Sequence, residues 1–310
     1  MKSLFTKKSI TLLSMLVVLG LMVIGCGGED GTSGHLDVRG SDTMVNVGQS
    51  LAESYMESQS DVTVSVTGGG SGTGVAAMID GRVDVANVSR SMSDSEIEQA
   101  QANGVEPFEV VIGMDGLAVF TNDNLDLEGL TMDEISAIFR GEITNWSEVG
   151  GPDAEISMYG RQSNSGTYVF FRDNVLGDDF SSDVRRMNGT AQIVEGVMND
   201  EYAIGYGGIG YTVDEASGEE EEGLNVINIA VDEDSEYATP LKPENVETGA
   251  YPIARPLFNY FNGQPDGAEL DYIQFIVSDD GQEVVTRAGF YPISPEYQEF
   301  NQEQLGDLIN

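Results

Sequence analysis

The stretch Val62-Thr63-Val64-Ser65-Val66-Thr67-Gly68-Gly69-Gly70-Ser71-Gly72-Thr73-Gly74-Val75-Ala76-Ala77-Met78-Ile79 changes its structural period in the middle. Val62, Val64 and Val66 alternate with Thr and Ser, the pattern of a strand with one buried face. After the glycine-rich turn, Val75, Met78 and Ile79 recur at helical spacing. Strand, polar turn and helix in that order predict α/β architecture with largely parallel sheets.

Working outward, the same alternation repeats. Leu36 to Arg39 reads as a strand, and Met44, Val47, Leu51 and Tyr55 follow at helical spacing. Val83 to Val88 is strand-like and precedes Ser93-Asp94-Ser95-Glu96, a capping box in which both end residues satisfy orphan helix donors. A second box, Thr131-Met132-Asp133-Glu134, stands before Ile135, Ile138 and Phe139. Two apolar stretches, Val110 to Phe120 and Tyr251 to Phe261, are candidates for crossings between two lobes. They divide the chain into lobe 1, residues 36–115 and 252–310, and lobe 2, residues 116–251. The run Gly218-Glu219-Glu220-Glu221-Glu222-Gly223 reads as a solvated loop.

Of 310 residues, 14 are Lys or Arg and 53 are Asp or Glu, a formal net charge of −39. That balance argues against nucleic acid and against electrostatic binding to acidic membranes, because polyanion binding rests on clustered basic groups that displace counterions. An apolar fraction of 40% with 12 Phe, 12 Tyr and 12 Met marks a folded chain, since acidic disordered chains lack the surface to offset ordering entropy.

Lys2, Lys7 and Lys8 precede an apolar run from Ile10 to Ile24, shorter than the roughly 20 residues of a bilayer span. Residues 1–25 are read as a signal peptide. Val23-Ile24-Gly25-Cys26 resembles a bacterial lipobox, which makes Cys26 a lipidated mature N-terminus, with 26–35 as lipidated Cys and linker. Removing the leader takes away three lysines and no acid, leaving a net charge of −42 and Lys242 as the last lysine. Such a composition suggests a salt-rich exterior, where a screening length of about 3 Å in molar salt suppresses self-repulsion. The lone cysteine excludes a disulfide framework and a cysteine-based metal site, and the reading assigns neither cofactor nor metal.

Three polar turns precede helices: Gly40-Ser41-Asp42-Thr43, Gly68 to Gly74, and Ser163-Asn164-Ser165-Gly166-Thr167. Backbone N–H groups and the positive helix end suit an anion there, glycine lets the backbone approach closely, and hydroxyls add neutral donors. The bland alternative is a set of ordinary helix caps. Arg161, four residues before Ser165, adds a forked guanidinium to the third turn.

Thr131-Met132-Asp133-Glu134-Ile135-Ser136-Ala137-Ile138-Phe139-Arg140-Gly141-Glu142-Ile143-Thr144-Asn145-Trp146 and Gly160 to Thr167 resemble the PstS family, the substrate-binding proteins of bacterial ABC phosphate transporters. Ala203-Ile204-Gly205-Tyr206 and Tyr251-Pro252-Ile253-Ala254-Arg255-Pro256-Leu257 add to the likeness, which runs from about Leu36 to Ile293. The resemblance implies a two-lobed, type II periplasmic-binding-protein fold, a Venus flytrap with the anion in the interlobe cleft. It implies inorganic phosphate as ligand and ABC permease subunits with a cytoplasmic ATPase as partners. An extracytoplasmic monomer, held at a bacterial membrane through Cys26, is expected.

By position, Thr43 and the Met44 amide match the first-turn ligands and Ser71 the serine of the second turn. Arg161, Ser165, Gly166 and Thr167 match the ligand cluster of the other lobe, and Ser41 is an additional donor. Many family members carry an acid after the third strand; this chain has Val88-Ser89-Arg90-Ser91, which puts Ser89 or Arg90 near that place. Asp42 or a backbone carbonyl is then left to accept a phosphate proton, so sulfate, molybdate or tungstate remains an alternative ligand, and a tethered sensor or adhesin an alternative role. An enzyme is disfavoured: the sole histidine, His35, precedes the fold, and no Gly-x-Ser-x-Gly elbow surrounds Ser71 or Ser165. Gly205 to Gly210 fits a dinucleotide fingerprint only nominally and reads as a packing segment.

Overall fold

A computed structural model of the protein describes residues 33–214, 217 and 219–309. The expected leader 1–25 and Cys26 lie outside the described residues.

Twelve strands are described: β1 (Gly34–Gly40), β2 (Val62–Thr67), β3 (Val85–Val88), β4 (Pro107–Gly116), β5 (Ala118–Asn122), β6 (Leu130–Thr131), β7 (Ser157–Arg161), β8 (Arg185–Met187), β9 (Ala203–Gly207), β10 (Leu224–Val226), β11 (Ile229–Ala230) and β12 (Ala254–Asn262). They form one five-stranded sheet ordered β2-β1-β3-β12-β4, a second ordered β10-β5-β9-β7-β8, and a small β11-β6 ribbon. In the first sheet β1 runs parallel to β2, with Leu36 opposite Val64 and Val38 opposite Val66, and parallel to β3. In the second, β7 runs parallel to β8 and β9. Of the valines that alternate in the sequence, Val62 and Val64 are buried beneath the sheet and Val66 is partly buried against the same core.

Each sheet contains one reversal. β12 is antiparallel to β3 and β4, and β5 is antiparallel to β9 and β10. Both reversed strands follow a crossing between the sheets: β5 starts just past Leu117 after β4, and β12 follows 251–253. A strand arriving from the other sheet starts at the seam, where its neighbours end. The C-terminal ends of β1, β2 and β3 therefore face those of β7, β8 and β9, the place where open α/β sheets gather ligand loops.

The helices cover the sheets: α1 (Val45–Ser58), α2 (Ser71–Ile79), α3 (Asp94–Ala102), α4 (Met132–Arg140), α5 (Gly166–Phe171), α6 (Thr190–Met198), α7 (Pro243–Glu247), α8 (Gly267–Val277), α9 (Asp279–Arg287) and α10 (Pro295–Leu305). Helix α1 buries Val47, Leu51 and Tyr55, the residues picked out by spacing. Both capping boxes form, Ser93 with Glu96 and Thr131 with Glu134, and each cap is worth about 0.5–2 kcal/mol. The first strand starts at Gly34 rather than Leu36, so His35 belongs to β1, opposite Thr63, and is exposed there. Gly205, Gly207 and Gly210 pack against Ile193, Thr190 and Phe290, with no dinucleotide turn.

Beneath the second sheet lies an aromatic cluster. Phe171 stacks on Tyr206 with centroids 4.1 Å apart, and Phe139 meets Phe171 edge-on at 5.2 Å. The Tyr206 hydroxyl accepts the backbone N–H of Arg161 at 3.2 Å, so this core sets the height at which Arg161 leaves β7.

On α8, burial and then the charges of Asp84 and Asp266 push Glu269 from its ordinary 4.5 up to about 7. A raised carboxylate stabilises the fold when protonated, fully below the unfolded value, and loses that contribution as pH rises through the folded one. Glu269→Gln should therefore gain melting temperature relative to the native chain between about pH 5 and pH 8, less so in molar salt. A difference in melting temperature that stays constant over that range would exclude the effect.

Candidate functional site

The loops after β1, β2 and β3 meet the loop after β7 in a buried cluster of hydroxyls. The Thr43 and Thr167 oxygens lie 2.6 Å apart, sharing one hydrogen across the seam. Ser41 Oγ donates to Ser89 Oγ at 3.0 Å, Ser71 and Ser89 hydroxyls are 3.2 Å apart, and the Ser89 N–H donates to Ser71 Oγ at 3.1 Å. All five side chains are buried. Hydroxyl hydrogens rotate to suit a partner, so this set is able to turn its donors toward an anion.

Glycine makes the approach possible. A Cβ on Gly166 would stand 2.3 Å from Ser71 Oγ and 2.8 Å from Ser89 Oγ. Gly70 has φ +92°, and a Cβ there would meet the Asn164 carbonyl oxygen at 2.7 Å. The second and third turns lie flush: the Gly72 N–H donates to Asn164 O at 3.0 Å and Asn164 Nδ2 donates to Gly69 O at 2.8 Å.

Ser165 caps α5, its Oγ accepting the Tyr168 N–H at 3.3 Å, which is the bland reading of that turn; its own O–H is still a donor. The Met44 amide donates to Ser41 O at 3.2 Å while its side chain fills the core. Arg161 is 2% exposed. Its Nη1 donates to Thr190 Oγ1 and its Nη2 to Asn188 O, both at 3.0 Å, and Nη2 also pairs with Asp42 across the seam. The Arg161 Nε–H is buried without a partner. Asp42 is steadied by the Gly69 N–H at 2.9 Å, and its carbonyl accepts the Tyr211 hydroxyl at 2.6 Å. Burial, and then the Asp42 charge, push that hydroxyl up to about 12.

Arg90 is not brought to the cluster. Its guanidinium forks onto Glu96 at 2.8 and 2.7 Å and donates to Ser91 O. Glu96 is already fixed by the Ser93 capping box, so it draws Arg90 to the start of α3. Ser89, the other residue offered for that position, supplies the central hydroxyl instead.

Sequence reasoning missed Arg255 and Asp115 as members of the site. Arg255 is 1% and Asp115 0% exposed. Nε and Nη2 of Arg255 donate to Asp115 Oδ2 at 3.0 and 2.8 Å, Nη1 to Ser89 O at 3.0 Å, and Nη2 to Thr167 Oγ1 at 2.9 Å. Burial lowers the Arg255 guanidinium from its usual value and Asp115 opposes that shift. The available signal was an arginine inside the apolar stretch Tyr251 to Phe261, where a charge requires a buried partner. Among the described residues no group of His, Cys, Asp and Glu is arranged to hold a metal ion. A 650 Å³ cavity among Gln274, Gln282 and Asn301 lies apart from the hydroxyl cluster.

Residues 27–280 match the family described as PBP superfamily domain. The chain is 31% identical over 294 residues to the phosphate-binding protein PstS of Pseudomonas aeruginosa PAO1, covering 89% of this chain and 88% of that one. A solved structure from Clostridium perfringens with bound phosphate superimposes with a TM-score of 0.74 at 26% identity, over 84% of this chain and 100% of that one. PstS from Borrelia burgdorferi gives a TM-score of 0.54 at 27% identity, over 84% and 99% of the two chains.

Gly166→Ala forces its methyl against Ser71 and Ser89. Overpacking of this kind costs about 1–3 kcal/mol, to be read as a lower denaturation midpoint. Unchanged stability would mean that the two loops yield freely.

Proposed function

The chain belongs to the PBP superfamily and, within it, to the PstS family, and from that premise we propose that it captures inorganic phosphate outside the cytoplasmic membrane. It passes the ion, as a monomer, to the permease subunits of an ABC importer driven by a cytoplasmic ATPase. The observation that carries this reading is the buried cluster of hydroxyls contributed from both sides of one seam beside Arg161. The ligand set is Ser41, Thr43, the Met44 amide, Ser71 and Ser89 from lobe 1, with Arg161, Ser165, Gly166 and Thr167 from lobe 2.

Lobe 1 comprises residues 36–115 and 252–310, and lobe 2 residues 116–251. An anion that accepts hydrogen bonds from both binds the closed arrangement better than the open one, and so shifts the hinge equilibrium toward closure. Binding alone is required, with no covalent step. The single turn of chain that holds Thr43 also carries Asp42, whose carboxylate lies against Arg161. A protonated phosphate donates to that carboxylate, whereas sulfate has no proton to give and meets a like charge; discrimination of this kind rests on repulsion of the wrong ligand.

Lipidation at Cys26 holds the protein at the membrane, and the acid-rich surface suits a salt-rich exterior. Palmitate labelling that persists in Cys26→Ser would dismiss the anchor.

Calorimetric titration with phosphate, arsenate, sulfate and molybdate, in low and molar salt, tests the ligand. Phosphate is expected to bind, and Arg161→Ala to weaken it at least about tenfold, given about 1.5–3 kcal/mol for each charge-assisted hydrogen bond. Asp42→Asn should narrow the preference for phosphate over sulfate. Sulfate binding without phosphate binding in the native chain would overturn the ligand assignment.

A further inference from the structure

Resting on the phosphate reading, we propose that Arg255 is a positioning residue of the anion site: clamped by Asp115, it forces the Thr43–Thr167 hydroxyl pair to face the ligand as a hydrogen donor.

Arg255 stands on β12, the strand that returns from one lobe to the other. Its hydrogen bonds reach both: Asp115 Oδ2 at 3.0 and 2.8 Å, the Ser89 carbonyl at 3.0 Å, and Thr167 Oγ1 at 2.9 Å. The guanidinium carbon lies 5.2 Å from the Phe170 ring centroid, so α5 contacts its flat face too. The other Asp115 oxygen accepts the Ile209 N–H at 3.0 Å, just beyond β9. One buried pair thus touches the loop after β3, the helix that carries Thr167, and the loop after β9.

The chemistry follows from counting donors. A hydroxyl has one hydrogen and two lone pairs, while a guanidinium has donors only. The contact with Arg255 therefore takes a lone pair of Thr167. The remaining contact of Thr167 is with Thr43, and either oxygen is able to donate in it. If Thr43 donates, both lone pairs of Thr167 are taken and the Thr167 hydrogen points to a third partner. If Thr167 donates, the Thr43 hydrogen is the one released. Either way the pair offers an O–H to an oxyanion that presents acceptors. Without Arg255 the pair still keeps one unshared O–H, but a lone pair of Thr167 is freed and competes with it to face the anion. Because Asp115 balances the Arg255 charge, the effect is one of orientation rather than attraction, which separates this residue from Arg161.

The test is a double-mutant cycle titrated with inorganic phosphate. Arg255→Lys keeps the charge and loses the fork; Thr167→Val removes the hydroxyl. Each is expected to weaken binding about tenfold, and the double variant no more than the weaker-binding single, because one residue acts through the other. Independent losses, multiplying to about a hundredfold, would overturn the role of Arg255. Should Arg255→Lys fail to fold, Asp115→Asn, which keeps the shape and one acceptor, replaces it in the same cycle with the same criterion. A native chain that binds none of phosphate, arsenate, sulfate or molybdate removes the phosphate reading and this inference together, whereas native binding with independent losses removes the inference alone.

Discussion

Two guanidinium groups withdrawn from water set the terms for the rest of the seam. An ion of that size loses several kcal/mol of solvation on burial, and leaving it unpaired is strongly destabilising. Arg161, 2% exposed, takes its acceptors from Asp42, Asn188 and Thr190; Arg255, 1% exposed, takes them from Asp115, Ser89 and Thr167. Each set contains groups from both sheets. The seam brings a carboxylate to each arginine at once, leaving only the Arg161 Nε–H without a partner, and the glycines at 70 and 166 let the loops come close enough for it.

This explains how a chain with a formal net charge of −39 accommodates the proposed anion site. The carboxylates on the outer surface face high-dielectric solvent and are screened by salt. Within the seam, Asp42 and Asp115 are each spent on an arginine, so the local field comes from N–H and O–H dipoles and not from an excess of positive charge. The aromatic stack under the second sheet has a part in this. Tyr206 fixes the Arg161 backbone, and burial raises its hydroxyl above the ordinary phenol value, so that it remains a neutral hydrogen-bonding group.

Much of the candidate site, as a set of residues that the fold brings together, was legible because its parts are local. Ser41 and Thr43, Ser71, and Arg161 through Thr167 each sit in one short turn between a strand and a helix, and short turns leave a pattern in the residue order. Arg90 and Ser89 were adjacent and indistinguishable by that logic; the capping box at Ser93 and Glu96 decided which of them turned toward the seam. Arg255 and Asp115 escaped because they are 140 positions apart and each is embedded in an apolar strand. A buried ion pair between distant strands has no local pattern.

By itself the sequence determined the elements: strand alternation at Val62 to Val66, helical spacing at Val47, Leu51 and Tyr55, both capping boxes, and the two apolar stretches where the chain crosses between sheets. These follow from backbone sterics and from burial of one face, which act over a few residues. Only the tertiary structure decided that β5 and β12 run against their neighbours, because direction depends on where a strand enters its sheet. It alone placed the Thr43 hydroxyl against that of Thr167, and Arg255 against the latter. Contacts of that kind exist only after two sheets have closed on one another, and the requirement that buried charges be paired then selects among the closures available.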